Sequence, residues 1–182
     1  RKRITDQLTS NGYYRFHKDF ISYQADTVNN KREIGLTLVL HPYRTNTISD
    51  TLHTQYRIGK IQYQSGDPDD SVIHLRKAVI ARSTFITENS LYSTKDLQKT
   101  YNRFGRLQAV KYTNISFKEH PGEPVLDCDI QLSTNKPSMI SFQPEGTNTA
   151  GDLGAAASLT YLNRNIFRGS EQFSVELRGA YE

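Results

Sequence analysis

One pattern of helix, strand, turn and strand occurs twice along this chain. Ile4 and Leu8 are spaced like one face of a short helix that ends near Gly12. Leu97 and Tyr101 repeat this spacing 93 residues further along the chain. A repeat of this kind indicates two copies of one small supersecondary unit.

The second helix has recognisable start and stop signals. Ser93, followed three residues later by Asp96, is typical of a capping box at a helix N-terminus. Gly105 follows Phe104, the last residue of the apolar face, and glycine is favoured just past a helix C-terminus. We therefore expect a helix that begins after Ser93 and ends before Gly105.

Two predicted strands joined by a turn follow each helix. The first strands are residues 17–25 and 110–118, and turn-forming residues follow at 26–31 and 119–122. The last strand of each copy alternates apolar with polar or small residues, which predicts one buried face. The apolar positions are Ile34, Leu36, Leu38 and Leu40 in the first copy and Leu126, Cys128, Ile130 and Leu132 in the second.

The second copy extends further toward its N-terminal side. Residues 56–64 alternate like another strand, and residues 71–91 are predicted to hold another helix. The second unit is thus strand, helix, helix, strand, strand over about residues 55–136, which predicts an α+β fold. The first copy lacks the matching front half, and residues 41–54, rich in Thr, Asn and Ser, are predicted to be a linker.

The alternation changes from about residue 138 onward. Residues 153–161 and 173–182 place apolar side chains on one face and mostly small or charged ones on the other. Strands of about 9–11 residues with this pattern are typical of transmembrane barrels, but a soluble hairpin with one wet face produces the same pattern. A barrel closes with about eight strands or more, so we expect residues 138–182 to be disordered, docked on a module or paired with a second copy.

A motif near the end of the chain is more specific. Its residues are Tyr161, Asn163, Asn165, Phe167 and Gly169. With residues 144–154, it resembles the opening strands of the barrel in the bacterial surface antigen family, to which BamA and TamA belong. The amino-acid sequence of residues 146–154 is most similar to that of Bacteroidetes TamA-like proteins. The resemblance implies an outer-membrane location and a short turn between barrel strands at the motif.

The repeated units are similar to POTRA domains, the periplasmic modules that precede such barrels. Residues 92–110 and 11–14 carry this likeness. The resemblance implies a truncated module at 1–46, a complete one at 47–137 with a mixed three-stranded sheet and two helices, and the start of an outer-membrane β-barrel at 138–182. We also expect the chain to be part of a longer protein.

The resemblance implies a scaffold rather than an enzyme. Edge strands carry unpaired backbone groups, which bind an extended peptide of almost any sequence by strand addition. In the family the second strand of each module is an edge. The corresponding strands here are residues 17–25 and residues 110–118, and we predict that the second of these binds peptides. Lys111 and Lys118 are predicted gatekeepers against self-pairing. The residues of the predicted peptide-binding strand are Val110, Lys111, Tyr112, Thr113, Asn114, Ile115, Ser116, Phe117 and Lys118.

The implied partners are unfolded outer-membrane proteins, periplasmic or lipoprotein accessory subunits of the assembly machinery, and the outer membrane itself through the parent barrel. We also predict self-association of this chain through its open strand edges. The alternative is a soluble β-rich binding module of adhesin or carbohydrate-binding type.

The residues give no sign of catalytic, metal or cofactor chemistry. The five histidines lack metal-ligand spacing, and Cys128 falls on the inward face of its strand. The net charge of +4 comes from cations and anions mixed along the chain, as on an ordinary solvated surface. The eleven tyrosines fall largely at packing positions, so we predict no nucleic-acid binding, no cofactor, no metal and no catalytic residue.

Overall fold

The structure is a computed structural model, and it describes residues 1–26, 34–44, 50–149 and 152–181. The helices are α1 (Lys2–Ser10), α2 (Lys77–Ser83) and α3 (Thr94–Phe104), and a 3₁₀ turn spans Lys18–Phe20. The strands are β1 (Ile21–Asp26), β2 (Gly35–Leu40), β3 (Tyr43–Arg44), β4 (Asp50–Thr51), β5 (Arg57–Ser65), β6 (Val110–Glu119), β7 (Val125–Thr134), β8 (Ser138–Thr149), β9 (Asp152–Asn163) and β10 (Phe173–Tyr181).

The described strands form four sheets. β1 pairs antiparallel with β2, and β3 pairs antiparallel with β4. β5, β7 and β6 form a mixed three-stranded sheet in that order, with β7 in the centre. β8, β9 and β10 form an antiparallel sheet with β9 in the centre. The predicted α+β fold class, with its mixed three-stranded sheet followed by antiparallel strands, is confirmed.

The chain divides into two compact units, which we call unit 1 and unit 2. Unit 1 comprises Arg1–Gln62, Phe85–Lys99 and Phe117–Cys128, and unit 2 comprises Tyr63–Thr84, Thr100–Ser116 and Asp129–Glu182. The core of unit 1 includes the buried side chains of Phe16, Ile21, Ile58, Ile86, Tyr92 and Leu126. The core of unit 2 includes those of Leu75, Ile80, Phe104, Ala109, Ile130 and Leu132.

Strand β7 follows the predicted alternation. Leu126, Cys128, Ile130 and Leu132 are each fully buried, at 0% exposure, while the residues between them are at most half-buried up to Gln131. The predictions of a strand at residues 56–64 and of a helix within residues 71–91 are confirmed by β5 and α2. Apolar alternation bounded by turn residues was therefore a sufficient signal for the central strand.

Two of the predicted helix signals, the capping box at Ser93 and the glycine after α1, are present in the structure. At the start of α3 the Asp96 N–H donates to Ser93 Oγ at 3.3 Å, as a capping box requires. Past the end of α1, Gly12 has φ +98°, a conformation that favours glycine, and the Tyr13 N–H donates to the Leu8 carbonyl at 3.2 Å. These bonds satisfy backbone groups that a helix end leaves without intrahelical partners.

The predicted strand at residues 17–25 is wrong at its start. The 3₁₀ turn at Lys18–Phe20 precedes β1, which begins at Ile21. The rings of Phe16 and Phe20 lie 5.8 Å apart, and both contact the ring of His53 with centroids 4.9 Å away. An extended strand would separate residues four apart by about 13 Å, so the shared aromatic contact requires the turn.

The predicted buried face of the first copy is also wrong. In β2, Leu36, Leu38 and Leu40 are 70%, 45% and 51% exposed, and Ile34 just before it is 66% exposed. β2 pairs with β1 alone among the described strands. The alternation is present, but in the described part of the chain little covers this face.

The predicted linker at residues 41–54 is wrong in part, because β3 and β4 lie within it and pair through Tyr43 with Thr51 and Arg44 with Asp50. Residues 45–49 lie outside the described residues, as does most of the predicted turn at residues 26–31. No helix in the described residues is long and apolar enough to cross a membrane.

The sheet of β8, β9 and β10 has two different faces. Ile140, Tyr161 and Val175 form one cross-strand row, and Phe142, Leu159 and Leu177 form the next. Ile140, Phe142 and Leu177 are 71%, 65% and 66% exposed. On the other face of β9, the small residues Ala156 and Ser158 are buried.

Candidate functional site

Strand β6 lies at one edge of the three-stranded sheet, with β7 as its neighbour. Residues 110–116 belong to unit 2, and Phe117 and Lys118 belong to unit 1. The predicted gatekeepers Lys111 and Lys118 are exposed, whereas Ile115 is buried. Of the other predicted residues, Tyr112, Asn114 and Ser116 are exposed and Val110, Thr113 and Phe117 are half-buried.

The hydroxyl of Tyr101 in α3 covers part of the β6 edge. It accepts a hydrogen bond from the Ile115 N–H at 2.9 Å and donates to the Ile115 carbonyl at 3.3 Å. Because both backbone groups of Ile115 bind this hydroxyl, they point away from β7. The backbone groups of alternate residues in a strand point to the same edge, so those of Lys111 and Thr113 also point outward.

The start of β6 is held from two sides. The Ala109 N–H donates to Ser170 Oγ at 2.9 Å, and the Ala109 carbonyl accepts from the Asn135 N–H at 2.8 Å. The Asn135 side chain donates to the Gln108 carbonyl at 3.0 Å. Ala109 is buried, at 1% exposure, so the edge is closed before Val110.

Between these closures lies a short open stretch, which we call the edge window and define as Lys111 and Thr113. In the described part of the chain, no hydrogen bond joins the backbone of either residue to a group outside the sheet. Their outward N–H and C=O groups are therefore available to another extended chain.

The other predicted edge, in the first copy, is β1 of unit 1, which has β2 on one side. Beside it, Ser22 Oγ lies 2.8 Å from His41 Nε2. The strand has six residues, and Ile21 at its start is buried while Tyr23 is 44% exposed. β1 is thus shorter than the edge predicted for the first copy.

The predicted strand-turn motif begins on β9 and continues into the loop of residues 164–172. Asn163 Oδ1 accepts from the Asn165 N–H at 2.9 Å, and Asn165 Oδ1 accepts from the Ser170 N–H at 3.0 Å. Tyr161 and Asn163 side chains both hydrogen-bond with Ser138 at the start of β8. The two asparagines thus organise the loop, which is longer than the short turn that the resemblance implied.

The local packing explains why a glycine occupies position 169 of the motif. A side chain at Gly169 would overlap the Glu171 carboxylate, which accepts from the Gly169 N–H at 2.9 Å. Arg168 and Ser170 on either side have φ of 58° and 66°. The left-handed conformation costs a residue with a side chain about 1–2 kcal/mol, so contacts elsewhere must hold the loop in place.

Those contacts come from the segment before α2, also in unit 2. Arg76 donates from its backbone N–H to the Arg168 carbonyl at 2.8 Å and from Nε to the Phe167 carbonyl at 2.5 Å. Asn165 Nδ2 donates to the His74 carbonyl at 2.5 Å. The Phe167 ring is 63% exposed, so the motif binds here through backbone and amide groups.

Glu171 is held as a carboxylate in this loop. Hydrogen bonds from its own backbone N–H and from that of Gly169, together with the nearby Arg76 guanidinium, hold the pKa of Glu171 below its usual value. The Arg76 guanidinium lies 3.5 Å from Glu171 Oε1. The ion pair is exposed, so its effect is mainly to orient the loop.

Unit 1 contains an aromatic cluster that the sequence did not predict as a group. The Tyr14 ring contacts those of Tyr56, Tyr92 and Phe117 at centroid distances of 5.8, 5.0 and 5.9 Å. Burial raises the pKa of Tyr14, Tyr56 and Tyr92. The pair Tyr13-Tyr14 after Gly12 was the available signal, but its partners come from distant parts of the sequence.

An ion pair accompanies this cluster. Arg15 forms a bidentate contact with the Glu119 carboxylate, and its guanidinium lies over the rings of Tyr43 and Tyr56 at 5.3 and 5.7 Å. The hydrogen bond to Glu119 raises the pKa of Arg15. These contacts fix the segment after α1 against the rest of unit 1. In the described residues, no group of three or more His, Cys, Asp or Glu side chains is placed to hold a metal ion.

The comparisons with known proteins concern the fold. No protein-family model matches the chain, and no curated protein sequence matches it. Among solved structures, it is similar to BamA from Haemophilus ducreyi lacking POTRA domains 1–3, with a TM-score of 0.63 and 13% identity over 98% of this chain and 30% of that one. The chain has the fold of that BamA fragment.

Two further solved structures are similar over less of the chain. CdiB from Acinetobacter baumannii has a TM-score of 0.45 and 11% identity, over 69% of this chain and 22% of that one. Haemophilus influenzae BamA POTRA3-5 has a TM-score of 0.40 and 12% identity, over 72% of this chain and 45% of that one. The chain spans less than a third of the Haemophilus ducreyi BamA structure.

Proposed function

We propose that this chain is part of an outer-membrane assembly or translocation protein of the bacterial surface antigen type. In this proposal it contributes a POTRA-like periplasmic scaffold, without enzymatic activity, and the first strands of a membrane barrel. The likeness of fold to a BamA fragment over 98% of the chain supports it. The similarity of residues 146–154 to Bacteroidetes TamA-like proteins remains a prediction.

The observation that carries the proposal is the edge window on β6. The outward N–H and C=O groups of Lys111 and Thr113 support it, because an extended polypeptide can pair with groups of this kind. Backbone pairing supplies affinity without requiring a particular sequence, which suits clients as varied as unfolded outer-membrane proteins. The exposed Lys111 side chain discourages pairing between two copies of the same edge.

The sheet of β8, β9 and β10 supports the membrane part of the proposal. One face carries the two apolar rows centred on Tyr161 and Leu159, and the other face carries mostly small, polar and charged side chains. Barrel strands place apolar residues toward lipid and polar ones toward the lumen. A soluble adhesin or carbohydrate-binding module, the alternative, would leave these rows in water without a use.

In this proposal residues 1–46 and 47–137 belong to two periplasmic modules, and residues 138–182 begin the barrel. Accessory subunits, periplasmic or lipoprotein, would meet the modules, and the parent barrel would hold the chain at the outer membrane.

Backbone NMR of the 182-residue chain tests the proposal. The probe is a ten-residue peptide of alternating valine and threonine with lysine at both ends. We expect it to shift the amide signals of Lys111 and Thr113. In a control peptide, two adjacent central prolines remove one N–H group from each edge of the peptide strand. This peptide should leave these signals unchanged.

Thr113→Pro is the matched protein variant. It removes an outward N–H without breaking the ladder with β7, a position where an edge strand tolerates proline. The variant should lose peptide binding while the signals of Leu126 and Ile130 keep their positions. Binding that survives Thr113→Pro, or shifts that avoid the edge window at millimolar peptide, would contradict strand addition at β6.

A further inference from the structure

We propose that Tyr101 is a register stop that limits how far an extended peptide can pair along β6. This inference rests on the proposed function and specifies how its binding site selects a register. One side chain on α3 determines which backbone groups of β6 a client reaches.

The geometry at Ile115 carries the inference. The Tyr101 hydroxyl binds both the N–H and the carbonyl of Ile115, at 2.9 and 3.3 Å. These are the two groups with which an added strand would pair at this residue. The phenol therefore occupies the place of the next residue pair of an incoming peptide.

The hydroxyl has no other partner in the described structure that would explain a tyrosine here. Tyr101 is half-buried on α3, and a phenylalanine would fill the same space with its ring. What the hydroxyl adds is satisfaction of the Ile115 backbone, which would otherwise be left unpaired beside a buried side chain. Tyr101 thus occupies both outward backbone groups of β6 at Ile115.

The opposite end of the window is closed differently. There the Ala109 N–H binds Ser170 Oγ, from the loop of residues 164–172, and Ala109 itself is buried. The Ala109 carbonyl accepts from the Asn135 N–H, so both backbone groups of Ala109 already have partners. The Tyr101 end differs because one hydroxyl binds both the N–H and the carbonyl of Ile115. A peptide paired at the edge window is therefore bounded by Ala109 on one side and by Tyr101 on the other.

Tyr101→Phe tests whether the hydroxyl binds the Ile115 backbone, with Tyr112→Phe as the matched control. Tyr112 lies on β6, the same strand as Ile115, and is 49% exposed. Without peptide, the Ile115 amide should exchange with solvent faster in Tyr101→Phe than in the unmodified chain, and at an unchanged rate in Tyr112→Phe. Equal exchange rates in all three would show that the hydroxyl does not cap Ile115 and would overturn the inference.

The same alternating valine and threonine peptide tests the register. In the unmodified chain its shifts should stop at Thr113. In Tyr101→Ala, which removes the ring together with the hydroxyl, they should extend to Ile115, and affinity should rise roughly tenfold because one or two further backbone hydrogen bonds form.

Two results separate the inference from the proposed function. Ile115 shifts of equal size in both proteins would overturn the register stop and leave strand addition standing. Absence of binding in both would overturn strand addition, and with it any register on this edge.

Discussion

Arg178 on β10 and Glu145 on β8 form an ion pair across the intervening strand β9, with Nη2 and Oε2 2.8 Å apart. In the register of the sheet, Arg178 lies beside Ser158 and Glu145 lies beside Ala156. The two long side chains reach each other because the β9 residues between them are small. This explains why Ala156 and Ser158 are buried on a three-stranded sheet, at 8% and 4% exposure.

Ala156→Leu should destabilise this sheet by about 1–3 kcal/mol, because a larger side chain would displace the ion pair that covers it. The matched control is Ala155→Leu, which places the same side chain on the exposed opposite face and should change stability by less than about 0.5 kcal/mol. Urea unfolding followed by the amide signals of β9 measures both. Equal losses in the two variants would show that the ion pair imposes no size limit.

The apolar face of the same sheet should enter detergent or lipid. The chain has no tryptophan, so a tryptophan placed at Phe142 or at Gln143 reports on one face at a time. We expect a blue-shifted emission on adding lipid vesicles for Phe142→Trp and little change for Gln143→Trp, since these neighbours point to opposite faces. The same shift from both sites would contradict a lipid-facing side.

The two copies of the repeat should differ sharply in how much their last strands stabilise the protein. Leu126→Ala removes a fully buried side chain and should cost about 2–5 kcal/mol. Leu36 belongs to the alternating apolar pattern of β2. Leu36→Ala removes a side chain that is 70% exposed and should cost less than about 0.5 kcal/mol. Denaturant midpoints measure the difference. A large loss for Leu36→Ala would mean that another surface covers β2 in solution.

The loop of residues 164–172 should loosen in acid. The pKa of Glu171 is lowered below its ordinary 4.5, so its carboxylate stabilises the loop above that pH and the contribution is lost as pH falls through the lowered pKa. The Gly169 amide signal should therefore titrate with a midpoint below 4.5. Glu171→Gln should abolish this titration, and an unchanged curve in the variant would exclude Glu171 as the cause.

Local sequence signals predicted several elements correctly because they depend on near neighbours. The capping box at Ser93, the glycine after α1 and the alternation of β7 each describe contacts within a few residues or a single face. The motif at Asn163 and Asn165 also makes bonds within its own loop. Its anchoring to Arg76 could not be predicted, because Arg76 and Phe167 lie 91 residues apart in sequence.

The alternation in β2 and β7 is equally clear in the sequence, yet one strand is exposed and the other is buried. Periodicity determines which side chains share a face, whereas burial depends on what covers that face. In the same way, the sequence placed Tyr101 on the apolar face of a helix and residues 110–118 in a strand. Only the tertiary structure brought the Tyr101 hydroxyl to the backbone of Ile115, because a hydrogen bond requires positions correct to a fraction of an ångström, and those positions are set by packing.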